Sequence, residues 1–85
     1  MKISIIIPVL NDSHALAALL PSLANSSAEI IVVDGGSTKL PQELVEQYGA
    51  RLVTSAAGRA TQMNVGAKQA TGDVLLFLHA DSQLP

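Results

Sequence analysis

The 85-residue chain contains no cysteine. That excludes disulfide scaffolds, zinc ribbons, iron–sulfur ligation and thiol nucleophiles together. A cytoplasmic protein needs no disulfides, and the cytoplasm is the expected location. Tryptophan is absent as well, and Tyr48 and Phe77 are the sole aromatic residues, too few for a base-stacking platform. Basic residues are outnumbered, five Lys and Arg against seven Asp and Glu, for a net charge of -2. A chain-wide footprint for nucleic acid is therefore missing, and none is expected as a partner. Long apolar runs are missing too. Ile5–Leu10 and Val74–Leu78 are the longest, far short of the roughly 20 residues a membrane helix needs. Lys2 precedes an apolar start, but Asn11, Asp12 and His14 interrupt it, against the pattern of a secretory leader. His14 and His79 alone cannot build a zinc cage. Finally, glycine is missing from the turn Pro8-Val9-Leu10-Asn11-Asp12, which excludes a GxGxxG dinucleotide turn there. There is no GxxxxGK[ST] phosphate loop and no GxSxG elbow.

What remains is a chain with 48% hydrophobic and 14% charged residues. That suits one small folded domain, burying roughly 60–70% of the unfolded surface. Its hydrophobic period switches repeatedly. Ile3–Leu10 is short, β-branched and almost wholly apolar, as a strand buried on both faces is. Asn11-Asp12-Ser13 supplies helix caps, and Leu16, Leu19, Leu20 and Leu23 then form one helical stripe. Pro21 within that stripe predicts a kink or an early stop. Glu29–Val33 is a second buried strand ending at Asp34, and Gly35–Thr38 is a loop. Pro41 opens a second helix through Leu44, Val45 and Tyr48, which Gly49 stops. Arg51–Thr54 is a third strand, Ser55–Gly58 a loop, and Arg59–Ala70 a third helix with Ala60, Met63, Ala67 and Ala70 on its expected sheet-facing side. Val74–Leu78 is a fourth buried strand. The order β-α-β-α-β-α-β predicts an α/β fold: a parallel sheet in a three-layer αβα, Rossmann-like arrangement with strand order 3-2-1-4.

In such a sheet ligands bind beyond the carboxyl ends of the strands, near the point where strand order reverses. Here those ends carry Pro8–Asn11, Asp34 and His79–Asp81. Asp34 can accept a hydrogen bond from a ligand imide or hydroxyl, or can instead cap the amides around Gly36–Thr38. In extended chain, His79 and Asp81 face the same side and can converge on one ion. Asp81 offers the hard oxygen that suits Mg2+ or Mn2+, and His79 suits Mn2+ better than Mg2+. The alternative is an Asx-turn or cap before Leu84-Pro85. Arg59 starts a helix, where the dipole disfavours a cation. It serves an anionic ligand, reaches to Asp34, or is simply solvated. Asn64 and Gly66 are poor helix formers placed mid-helix. Gly66 allows close approach to the sheet, and Asn64 either points to the crevice or packs.

Four segments carry a family resemblance: Ser4–Asn11 (SIIIPVLN), Glu29–Thr38 (EIIVVDGGST), Gly58–Gly72 (GRATQMNVGAKQATG) and Asp73–Pro85 (DVLLFLHADSQLP). In order and spacing the chain resembles the N-terminal half of a family 2 glycosyltransferase with the GT-A fold. The GRA-QMN-GA and FLHAD wording further resembles a bacterial subgroup of selenodomain-associated or arsenosugar-type transferases. The resemblance implies a UDP- or GDP-linked nucleotide-diphospho-sugar as ligand. Pro8 and Asn11 would line its pocket, Asp34 would bind the base or ribose region, and Arg59 would help hold the nucleotide, with Asn64 added to that group. Asp81 would stand last in a DxD-type motif and, with His79, hold the divalent cation, flanked by Ser82. The sequence departs from the family pattern at Asp12, where a glutamate is common, at Lys39, where an aspartate is frequent, and at His79, which replaces the first acid of DxD. The family's acceptor site and catalytic base follow the DxD region, so residues 1–85 are expected to form the donor-binding half, truncated after that motif and inactive alone. The full-length parent would transfer the sugar, with peripheral membrane contact. The exposed edge of strand 4 would favour a homodimer. The alternatives are a non-catalytic nucleotide-binding module and a purely structural association domain.

Overall fold

The computed structural model describes residues 1–80. Seven elements follow one another: β1 (Ile3–Val9), α1 (Ser13–Leu23), β2 (Glu29–Asp34), α2 (Gln42–Gln47), β3 (Arg51–Thr54), α3 (Arg59–Gln69) and β4 (Val74–Phe77). The strands form one sheet in the order β3-β2-β1-β4, and every pairing is parallel. This is the expected α/β topology.

The burial of the two central strands explains their composition. Ile6, Ile7, Ile31, Val32 and Val33 are all fully buried. Each such side chain contributes about 1.5–3 kcal/mol by leaving water, and β-branching suits the extended backbone. The alternation of side chains sorts them into two layers. Ile5, Ile7, Val9, Ile30 and Val32 pack with Leu16 and Leu20 of α1 and Val45 of α2. Ile6, Ile31 and Val33 pack with Val65 and Ala67 of α3 on the opposite face.

Three local expectations are corrected. The first helix runs through Pro21 and ends two residues later at Leu23. Proline so near the C-terminus forfeits one backbone bond and leaves little helix to distort. Asp12 stands at the N-cap of α1 without a side-chain cap bond; its carboxylate instead accepts from the Leu10 N–H at 3.2 Å. The buried residues of α3 are Gln62 and Gly66; Ala67 and Ala70 pack toward the sheet as expected, whereas Ala60 is exposed. Gly66 is what brings the helix down. A Cβ there would lie 2.5 Å from Ile6 Cγ2 and 3.0 Å from Val33 Cγ2.

At the edge, β4 pairs only with β1 among the described residues. Its Leu75, Leu76 and Phe77 remain 36%, 45% and 43% exposed, so this strand is not buried on both faces as expected. No helix among the described residues is long and apolar enough to cross a membrane.

Candidate functional site

Parallel pairing brings the carboxyl ends of the strands to one rim. Val9, the last residue of β1, lies opposite Asp34, the last residue of β2. The Leu78 N–H donates to the Ile6 carbonyl at 3.0 Å, so β4 delivers His79 and Ala80 to that same side of the sheet. The rim therefore gathers the chain after β1, Asp34 and the start of the His79 segment.

Asp34 is completely buried. Its Oδ1 accepts the N–H groups of Gly36 at 2.8 Å and Ser37 at 2.7 Å. Of the two roles weighed for this residue, the cap on the following loop is the one observed. Oδ1 caps the following loop, and Oδ2 is buried with no hydrogen-bond partner among the described residues. An unsatisfied buried carboxylate oxygen costs about 1–3 kcal/mol or more, and such a group calls for an explanation. With Oδ1 committed, the rotamer is fixed and Oδ2 is a preset acceptor for an N–H or O–H donor, such as a base imide or a sugar hydroxyl.

Asn11 ties the β1–α1 loop to the β2–α2 loop. Its N–H donates to Ser37 Oγ at 2.7 Å, and its Oδ1 accepts the Thr38 N–H at 2.9 Å. Its φ of 54° is the left-handed conformation that asparagine tolerates better than most residues. The same Ser37 thus meets Asp34 through its amide and Asn11 through its hydroxyl.

The remaining expected residues are placed as follows. Pro8 is buried within β1, opposite Val33. Arg59 is exposed at the first turn of α3 and is not paired with Asp34, since the ion pair found among the described residues is Arg51–Glu29. Asn64 is exposed and lies about 200° round α3 from Gln62 at ~100° per residue. The structure does not bring it to the group around Asp34. His79 is half-buried, and its Nδ1 is buried without a partner among the described residues. Asp81 and Ser82 lie outside the described residues. Among the described residues no cluster of three or more His, Asp or Glu side chains could hold a metal ion. A shallow cleft lined by Ser13, Lys39, Leu40, Pro41, Gln42 and Glu43 lies apart from Asp34, toward α2.

Gln62 escaped the sequence reading. It is buried, and its Nε2 donates to the Val9 carbonyl at 2.8 Å and the Val33 carbonyl at 2.9 Å. Its sequence signal is its spacing, four residues before Gly66, which puts the two on one face of α3.

A second polar cluster lies at the opposite end of the sheet. Glu29 Oε1 accepts from Ser4 Oγ and from the Thr71 N–H, each at 2.9 Å. The buried Ser4 hydroxyl in turn accepts the Gly72 N–H at 2.9 Å. The Thr71 amide, then the Ser4 hydroxyl, hold the Glu29 carboxyl below its ordinary value, against partial desolvation. Lys2 adds attraction and donates from Nζ to Thr71 Oγ1 at 2.6 Å. This cluster closes the α3–β4 connection.

In parallel α/β sheets ligands bind beyond the carboxyl ends of the strands, the end at which Asp34 lies. The chain belongs to glycosyl transferase family 2, whose model matches residues 4–85. It is 33% identical over 96 residues to the poly(ribitol-phosphate) beta-N-acetylglucosaminyltransferase TarS of Staphylococcus aureus, covering 99% of this chain and 17% of that protein. It is 40% identical over 91 residues to a PGL/p-HBAD biosynthesis glycosyltransferase of Mycobacterium tuberculosis, covering 95% of this chain and 36% of that one. The chain thus spans well under half the length of these curated relatives. Among solved structures, glucosyl-3-phosphoglycerate synthase from Mycobacterium tuberculosis in complex with uridine-diphosphate is similar, with a TM-score of 0.82 and 25% identity, over 99% of this chain and 35% of that one. The same synthase has been solved with Mn2+ and UDP together.

Proposed function

We propose that residues 1–85 form the donor-binding half of a glycosyltransferase that takes its sugar from a UDP- or GDP-linked nucleotide-diphospho-sugar. The observation that carries the reading is the buried Oδ2 of Asp34, which has no hydrogen-bond partner among the described residues. In this reading Asp34 accepts the base imide or a ribose hydroxyl. Pro8, Asn11 and Arg59 complete the nucleotide's surroundings, and Asn64, exposed on the far side of α3 from Gln62, is not among them. His79 and Asp81 would hold Mg2+ or Mn2+, and the orphaned Nδ1 of His79 fits Mn2+ better. Such a cation offsets the charge of the departing diphosphate. Support comes from the similar synthase, solved with UDP and Mn2+. The acceptor-activating base would lie in the remainder of a full-length parent, so the isolated chain binds without transferring. We place the protein in the cytoplasm, with peripheral membrane contact in that parent, and read its subgroup as the selenodomain-associated or arsenosugar-type transferases.

Calorimetric titration with UDP in Mn2+ tests the reading. Asp34→Ala should weaken binding about tenfold or more, the worth of one hydrogen bond to a charged group. No heat with UDP, GDP or their sugars would leave the purely structural reading standing. The exposed Leu75, Leu76 and Phe77 of β4 favour association with a second copy. A monomeric mass in concentrated solution would count against that.

A further inference from the structure

Gln62 is a polar side chain where a helix–sheet interface usually takes an apolar one. It is 5% exposed. Its amide nitrogen donates to two main-chain carbonyls, Val9 at 2.8 Å and Val33 at 2.9 Å. Those carbonyls sit on adjacent strands, where both are about to leave the sheet. The Val9 carbonyl also accepts the Gly35 N–H at 2.9 Å. Gly35 itself lies against the glutamine, since a Cβ there would stand 2.7 Å from Gln62 Cδ.

The consequence falls on Asp34, which lies between Val33 and Gly35. The peptide before it is held by Gln62, and the residue after it packs against the same amide. Its own carbonyl accepts the Ser55 N–H at 2.9 Å. Its Oδ1 is committed to Gly36 and Ser37. The direction of Oδ2 is therefore set by the backbone that Gln62 clamps.

We propose that Gln62 is a positioning residue for ligand binding: it reaches from α3 to lock the ends of β1 and β2 so that Asp34 Oδ2 is held rigidly toward a nucleotide. The proposal rests on the nucleotide reading of Asp34. A preset acceptor of this kind loses affinity when its supporting bonds are removed, even though the support never touches the ligand.

Two variants perturb the clamp from opposite sides. Gln62→Met keeps the length of the side chain and removes both donated bonds. Gly35→Ala keeps Gln62 and crowds its amide. UDP affinity in Mn2+ is read by calorimetry, and amide hydrogen exchange is read at Gly36 and Ser37. Each variant is expected to weaken UDP binding about tenfold. Each should also speed exchange at Gly36 and Ser37 several-fold while leaving Ile31 and Val32 unchanged. In an Asp34→Ala background the further loss on Gln62→Met should shrink to less than about twofold, because the two act through one oxygen. A merely structural role would lower stability in both backgrounds alike and weaken UDP equally in both. Wild-type affinity in Gln62→Met, or a full loss that persists without the Asp34 carboxylate, overturns the proposal. If the wild-type chain takes up no UDP, the nucleotide reading fails separately. The exchange data then judge the clamp alone: faster exchange at Gly36 and Ser37 supports it and unchanged exchange overturns it.

Discussion

Replacing Gly66 by alanine should destabilise the chain, although alanine is the better helix former by about 1 kcal/mol. The reason is the distance between α3 and the sheet. The added Cβ would stand 2.5 Å from Ile6 Cγ2, 3.0 Å from Val33 Cγ2 and 3.4 Å from Ile6 Cγ1. Ile6 and Val33 are fully buried on the two central strands, so neither can retreat. The helix must instead rise by up to about 1 Å to reach ordinary contact, and overpacking of this kind costs about 1–3 kcal/mol. Gln62, one turn away, would be drawn from its 2.8 and 2.9 Å bonds, and losing them adds about 1 kcal/mol each. Set against the gain in helix propensity, the net loss is about 2–4 kcal/mol. Urea unfolding of Gly66→Ala beside the wild type measures it. Asn64→Ala, at an exposed position of the same helix, serves as the control and should be neutral or slightly stabilising. A Gly66→Ala midpoint at or above the wild-type value would refute the close-packing argument.

Further outcomes follow from the two polar clusters and the sheet edge. The Glu29 carboxyl is held below its ordinary value, mainly by the Thr71 amide. Its contribution to stability is thus complete above that ordinary value and is lost as pH falls through the depressed folded one. Urea midpoints taken between about pH 3 and 6 should fall toward acid more steeply for the wild type than for Glu29→Gln; parallel profiles would remove Glu29 from the account. At Asn11, with its φ of 54°, both Asn11→Gly and Asn11→Ala lose the bond to Thr38. Only alanine also meets left-handed strain, so it should be the less stable by about 1 kcal/mol in thermal melts, and equal melting points would contradict that. Leu76→Lys, on the exposed face of β4, should reduce association in sedimentation runs without lowering monomer stability; an unchanged mass distribution would exclude the edge as the contact.

Much of this molecule can be read before any coordinates. The β-branched runs Ile3–Leu10 and Glu29–Val33 read as strands, and the structure has them at Ile3–Val9 and Glu29–Asp34, because local pattern and tertiary burial agree there. The topology followed from alternation and handedness, and with it the placing of Asp34 at a rim. The sheet-facing side of α3 was legible at Gly66, Ala67 and Ala70 but not at Gln62. Burial of Gln62 depends on carbonyls 53 and 29 residues away in sequence, and apolar periodicity carries no sign of them. The bond from Ser4 to Glu29, with Thr71 beyond it, likewise joins three distant segments. Asn11 was singled out as a pocket residue, yet its visible work is to join two loops, a role set by a backbone angle that composition does not reveal. Asp34 was legible as a candidate, but not the division of labour between its two oxygens, because that rests on how the loop at Gly36 and Ser37 folds back.

The most direct test of the account is a map of amide chemical shifts as UDP and Mn2+ are added to the isotopically labelled chain. The account predicts that the changes concentrate at the rim, in residues 9–11, 34–38 and 78–80, and that Asp34→Ala raises the UDP concentration needed for them about tenfold or more. Changes confined to the cleft between Lys39 and Glu46, or none anywhere in the chain, would contradict it.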